Sequence, residues 1–130
     1  MCEVLLADAV YIASRKQKVV DKVAKELSEM GPGICVALVA DLTSKAGCGQ
    51  LASQIASREP KLHILVNNAG MSWGSSMRDF DEKNGWDRLF ALNVKSIWYL
   101  TIALVDVLQA ASDSNKDPAR VINVYKFKSD

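Results

Sequence analysis

Asn67-Asn68-Ala69-Gly70 follows His63-Ile64-Leu65-Val66, a short run rich in β-formers. A turn uses one asparagine; two in a row demand more hydrogen-bond partners. The alanine and glycine after them leave room for close approach by something outside the strand end. Ser14-Arg15-Lys16 closes another apolar run, Val10-Tyr11-Ile12-Ala13, and sets two cations beside a hydroxyl. A planar guanidinium fork, a point charge and a hydroxyl suit a phosphate. Asp41-Leu42 lies just past Ile34-Cys35-Val36-Ala37-Leu38-Val39. Asn93, in Leu92-Asn93-Val94, stands 23 positions beyond Gly70 (93 minus 70).

Each of these residues also has a plainer reading. The Asn67 stretch can be a strand-to-turn exit, and Arg15-Lys16 a solvated first helical turn. Cations there oppose the helix dipole, which weighs against that reading. Asp41 can cap a helix, and Asn93 can be an ordinary polar helix position. His63 opens its strand and faces solvent or a hydrogen-bonding partner. No Ser or Cys pairs with it in a hydrolase pattern.

The elements that must position these residues alternate. Residues 10–13 read as a strand, and Ser14 with Gln17 forms a capping-box pattern. A helix follows, with Val19, Val20, Val23 and Leu27 on one face, and Gly31-Pro32-Gly33 ends it. Residues 34–39 form a second strand, apolar on both faces, as in a parallel sheet covered on both sides. A helix from residue 41 turns Cys48, Leu51, Ala52 and Ile55 inward. Residues 63–66 form the third strand. One long helix is expected from about Gly85 to Gln109, with Leu89, Phe90, Leu92, Ile97, Leu100, Leu104 and Leu108 among its apolar positions. Residues 113–118 read as polar loop and residues 121–124 as a fourth strand. Trp86, Phe90, Trp98 and Tyr99 are core or interface residues. Alternation of this kind means βαβ units, whose ligands sit beyond the carboxyl ends of the strands. Every polar cluster named above lies at such an end.

Composition narrows the class. The 130 residues are 49% hydrophobic and 24% charged, with 16 basic against 15 acidic side chains and a net charge of +1. One domain is the expectation. Charge gives no reason to expect nucleic acid. Three cysteines, with no C-x-x-C pair, suggest reduced thiols rather than a disulfide framework or a zinc site. The first residues lack the basic start and long apolar stretch of a signal peptide, and residues 96–108 are too short to span a bilayer. A soluble, cytoplasmic protein without membrane partners is expected.

Asn67-Asn68-Ala69-Gly70 after a strand, Asp41-Leu42 at the end of the preceding one, and Leu92-Asn93-Val94 in the long helix together resemble the short-chain dehydrogenase/reductase family. The resemblance runs from about residue 10 to 124. Within the family, VYIASRK, ASREPKLHILVNNAG and GWDRLFALNVKS are most similar to reductases of the 3-oxoacyl-[acyl-carrier-protein] type, including those of rhamnolipid synthesis.

The resemblance implies an α/β, partial Rossmann fold: a doubly wound parallel sheet of about four strands. It also implies an NADP(H)-dependent oxidoreductase that reduces a small-molecule carbonyl, and a homo-oligomer in the full-length form. Asp41 and Leu42 would border the adenine. Asn67 would tie neighbouring strands together, and Asn68, Ala69 and Gly70 would lie along the ribose and phosphates. The backbone carbonyl of Asn93 would hold a water of the proton relay. With no acidic residue near Ser14, Arg15 and Lys16, a 2′-phosphate is accommodated and NADPH is preferred over NADH.

The departures are as informative. The family's opening strand and its T-G-x-x-x-G-x-G turn do not occur in this sequence. Residues 1–9 resemble only the tail of the family's first helix, and Ala7-Asp8-Ala9 stands where a glycine is usual. The family continues from I-N-V to a catalytic serine and then Y-x-x-x-K. Here Tyr125 and Lys128 are spaced Y-x-x-K at a strand end, and Ser129 comes too late. Residues 125–130 form a tail unlike the family's. The sequence therefore reads as an incomplete NAD(P)-binding domain lacking the family's first, central strand, and inactive alone. Residues 10–13 and 63–66 would then keep unpaired edges.

Overall fold

The computed structural model describes residues 9–112 and 117–125. Of the expected helix remnant, residues 1–9, only Ala9 is described, and it belongs to the first strand; residues 1–8, part of the polar loop and the tail from residue 126, with Lys128 and Ser129, lie outside the described residues. Two compact units meet in sequence between Asp41 and Leu42.

The first unit is a single βαβ element. β1 (Ala9–Ser14) and β2 (Ile34–Val39) pair in parallel, Ser14 opposite Val39. α1 (Gln17–Met30) is the crossover between them. The expected capping box does not form. Lys16 is the N-cap and makes no side-chain cap bond, while Gln17 donates to Asp21 one turn on. Ser14 instead accepts from the Lys16 amide at 3.3 Å, a local turn that competes with capping. Of the expected apolar face only Val20 is buried, with Ala24; Val19, Val23 and Leu27 are exposed. Ser28 ties helix to sheet: its hydroxyl donates to the Ala24 carbonyl at 2.9 Å and accepts from the Cys35 amide at 2.9 Å. Burial raises the Cys35 thiol's pKa, which keeps it protonated.

The second unit opens with α2 (Lys45–Ala56). Its N-cap is Ser44, whose hydroxyl accepts from the Gly47 amide at 3.0 Å. Asp41 is therefore not this helix's cap. Cys48, Leu51, Ala52 and Ile55 are buried, as their spacing predicts. β3 (Ile64–Asn67) pairs in parallel with β4 (Arg120–Asn123).

The connection between β3 and β4 departs most from expectation. The long helix starts with a π-helical turn, Glu82–Asp87, passes through α3 (Arg88–Phe90), widens again at Ala91–Lys95 and becomes α4 (Ser96–Ala103). A 59° bend separates this run from α5 (Val105–Ala111). No proline or glycine marks the bend. Leu104 sits at φ −105°, ψ 4°, its amide shared between the carbonyls of Leu100 and Thr101, and its side chain is fully buried. The bend accompanies burial of Leu108 and Ala111 as well as Leu104. Burying a leucine is worth about 1.5–3 kcal/mol. α5 also accepts, through the Val107 carbonyl, a 2.9 Å bond from the Leu62 amide just before β3.

The architecture is α/β with parallel strands, as expected. Among the described residues the four strands form two pairs, β1–β2 and β3–β4. Among the described residues β3 pairs with β4 alone. The apolar strands are not covered on both faces: Ile34, Val39, Val121 and Ile122 are exposed. Among those residues no single helix is long and apolar enough to cross a membrane; only the bent pair meets that length and composition together.

Candidate functional site

In the first unit, parallel pairing puts the carboxyl ends of β1 and β2 side by side. The Ala40 amide donates to the Ser14 carbonyl at 3.2 Å, extending the ladder one step past β2. Ser14-Arg15-Lys16 and Asp41 are thereby gathered at one sheet end. Arg15, Lys16 and Asp41 are exposed and Ser14 is half-buried.

In the second unit, the carboxyl ends of β3 and β4 carry Asn67 and Asn123 opposite one another. Asn67 is buried, and its Nδ2 donates to Asn123 Oδ1 at 2.9 Å and to Thr101 Oγ1 at 3.3 Å. Its carbonyl accepts from the Val124 amide at 3.0 Å. The first asparagine thus ties two strands and a helix together. The chain then turns sharply, the Asn68 amide donating to the Val66 carbonyl at 3.1 Å, and Asn68, Ala69 and Gly70 are exposed. The second asparagine is the one turned outward.

Asn93 lies in the wide turn Ala91–Lys95. Its side chain makes a reciprocal pair with the backbone after Gly70: the Met71 amide donates to Oδ1 at 2.9 Å, and Nδ2 donates to the Met71 carbonyl at 2.8 Å. Widened turns disturb the i→i+4 ladder and recur at functional sites. Leu42 is half-buried, its carbonyl accepting a weak 3.5 Å bond from the Cys48 thiol.

The glycines separate two causes. A Cβ on Gly85 would lie 2.5 Å from Phe80 Cε1, so packing requires glycine there. A Cβ on Gly70 would meet only Asn93 Oδ1, at an ordinary 3.6 Å, and its backbone is not left-handed. Among the described residues nothing requires glycine at position 70; a flat ligand lying on that backbone would.

The family model of short chain dehydrogenases matches residues 1–126. The chain belongs to the short-chain dehydrogenase family. Over 115 residues it is 37% identical to the rhamnolipids biosynthesis 3-oxoacyl-[acyl-carrier-protein] reductase of Pseudomonas aeruginosa, covering 88% of this chain and 43% of that protein. Over 119 residues it is 32% identical to the short chain dehydrogenase/reductase dpchH of Colletotrichum higginsianum, covering 88% and 29%. The chain spans less than half the length of these curated relatives. Among solved structures, the Pseudomonas aeruginosa RhlG/NADP active-site complex aligns with a TM-score of 0.81 at 38% identity, covering 88% of this chain and 43% of that one. The NADH-dependent reductase A1-R' complexed with NAD aligns with a TM-score of 0.78 at 27% identity, covering 88% and 48%. These members share the Rossmann-like fold.

Sequence reasoning missed two residues at the site, Thr101 and Asn123. The signal for Asn123 was available: it closes Arg120-Val121-Ile122-Asn123 as Asn67 closes Ile64-Leu65-Val66-Asn67. Parallel pairing in register makes such end residues neighbours. Thr101 lies 34 positions from Asn67 and carried no local signal.

Proposed function

We propose that the chain forms the adenosine-side part of an NADP(H) site in a reductase of carbonyl compounds, 3-oxoacyl thioesters among them. Two observations, one in each unit, support this reading: the hydroxyl and two cations of Ser14, Arg15 and Lys16 at the end of β1, and the exposed Asn68, Ala69 and Gly70 past the end of β3. Arg15, Lys16 and Ser14 would hold a 2′-phosphate. Asp41 and Leu42 would border the adenine. Asn68, Ala69 and Gly70 would run beside the ribose and phosphates, with Asn67 fixing the strand end from which they project. The RhlG complex, at 38% identity, was solved with NADP, which supports the choice of cofactor. A cytoplasmic location belongs to the same reading.

The bound nucleotide would supply a hydride for a carbonyl carbon. Asn93 would hold, through its backbone carbonyl, a water of the proton relay. The wide turn that contains it supports that role. The 130 residues hold no T-G-x-x-x-G-x-G turn and no Y-x-x-x-K. Tyr125 is exposed, just past the end of β4. The chain alone is therefore inactive and binds NADPH weakly.

NADPH titration followed by amide shifts tests this. Shifts should appear at residues 14–16 and 68–70 in the millimolar range, larger for NADPH than for NADH, and Arg15→Glu with Lys16→Glu should remove the difference. Micromolar affinity or measurable turnover of a carbonyl substrate would overturn the account of the isolated chain.

A second reading has its own support. Trp86, Phe90 and Trp98 on the long helical run are 54%, 47% and 64% exposed. They are surface residues, and exposed aromatics suit a protein partner. The chain would then act without catalysis, pairing with full-length subunits through that helix. The homo-oligomer expected of the full-length form would use the same face.

A further inference from the structure

The three residues that present backbone to the proposed nucleotide are suspended between two fixed points. Before them, Asn67 is locked by Thr101 and Asn123 at 3.3 and 2.9 Å. After them, Met71 is locked by Asn93 through two bonds of 2.9 and 2.8 Å. Asn93 and Thr101 belong to one helical run, Glu82–Ala103. At 1.5 Å per residue, the rise between them is about 12 Å. Four residues, from Asn67 to Met71, reach at most about 14 Å when extended. The segment is therefore long enough to join the two anchors even with the sharp turn at Asn68. At its start the Asn68 amide donates back to the Val66 carbonyl.

We infer that Thr101, together with Asn123, is a positioning residue for the nucleotide-facing backbone of residues 68–70, forming with Asn93 a two-point clamp in which one helix holds both ends of the segment. This rests on the nucleotide reading above, and extends it to residues that would touch no ligand. The chemistry suits the task. Asn67 is buried, so its two amide protons must find acceptors. One goes to the neighbouring strand, which sets register. The other goes to the helix, which sets the height of the strand end above the Asn93 anchor. Thr101 is half-buried and β-branched, so its χ1 is restricted and its hydroxyl is held in place. Asn93 anchors the far end with a donor and an acceptor at once, which fixes the direction of the Met71 peptide as well as its position.

Thr101→Val keeps the shape and removes the hydroxyl, whereas Thr101→Ser keeps the hydroxyl. Amide exchange is followed at Asn68 and Met71, at the Asn67 side chain, and at Leu51 and Ala52 of α2 as a control. Loss of one such hydrogen bond should speed local exchange about five- to tenfold. Thr101→Val should do so at Asn67 and Asn68 without changing α2, Thr101→Ser should behave like the wild type, and Asn93→Ala should produce the effect at Met71. No local change in Thr101→Val, or an equal change throughout the unit, would overturn the clamp. NADPH titration of the same proteins reads the consequence: Thr101→Val should bind several-fold more weakly than wild type, with Thr101→Ser restored. Equal affinity in Thr101→Val would overturn the positioning role. A wild type that shows no shift at residues 68–70 would overturn the nucleotide reading instead, and the exchange data would still decide the clamp.

Discussion

Gly70→Ala and Gly85→Ala make a matched pair, because the structure gives the two glycines different reasons to exist. At position 70 the added methyl meets a single atom at 3.6 Å, a normal contact. The substitution also narrows the unfolded ensemble, which stabilises by about 0.4–1 kcal/mol where the backbone is compatible. At position 85 the methyl falls 2.5, 2.9 and 3.2 Å from three atoms of the Phe80 ring. That ring stands against Trp86, centroids 5.1 Å apart, so retreat disturbs a second aromatic. Overpacking costs about 1–3 kcal/mol, against about 1 kcal/mol gained from helix propensity. Urea denaturation followed by tryptophan emission reads both variants, since Trp73, Trp86 and Trp98 all lie in the second unit with the two glycines. With a slope of about 2 kcal/mol per molar urea, Gly70→Ala should leave the midpoint unchanged or raise it by up to roughly 0.5 M. Gly85→Ala should lower it by up to roughly 1 M. In NADPH titrations the order reverses: Gly70→Ala should weaken binding by about 1 kcal/mol or more through overlap with the ligand. A larger loss of stability at position 70 than at 85, or unchanged NADPH affinity in Gly70→Ala, would refute the argument that a ligand explains the first glycine.

Two further outcomes are expected. Leu104→Ala should cost about 2–5 kcal/mol, because that side chain is fully buried at the helix bend, whereas Val23→Ala, 38% exposed on α1, should cost under about 1 kcal/mol; thermal unfolding of the two variants compares them. Asp81 caps the first wide turn by accepting from the Asn84 amide, and that bond lowers its pKa. A carboxylate depressed in the folded state stabilises above its unfolded pKa, and the gain is lost as pH falls through the folded value. Circular dichroism should therefore show the helix onset weakening below about pH 4, and Asp81→Asn, which cannot titrate, should remove that pH dependence.

The strands and the polar clusters at their ends were legible because both signals are local. Short apolar runs bounded by turn residues gave β1 to β4 to within a residue or so, and the clusters at residues 14–16, 41–42 and 67–70 fall at parallel strand ends as expected. The helical features were less legible because tertiary packing decides them. Ser14 and Gln17 have capping-box spacing, yet the Ser14 hydroxyl turns to the Lys16 amide instead. A period of 3.6 residues cannot show where a turn widens, so the two π-helical turns on either side of α3 were invisible. The bend at Leu104 follows from burial of a leucine and not from any breaker residue. Asn93 was expected to act through its backbone; that its side chain grips Met71 depends on a loop 22 positions away. The exposed Val19, Val23 and Leu27 show the converse, since helical periodicity predicts a face without showing what covers it.

The edge of β3 away from β4, which no strand among the described residues covers, has a practical consequence. An amide row without a neighbour is indifferent to whose backbone satisfies it, so a dilute preparation and a concentrated one should behave as different materials. Solubility would be capped by self-recruitment, not by charge. Co-expression with a chain able to donate an extended segment should raise that ceiling more than any change of buffer.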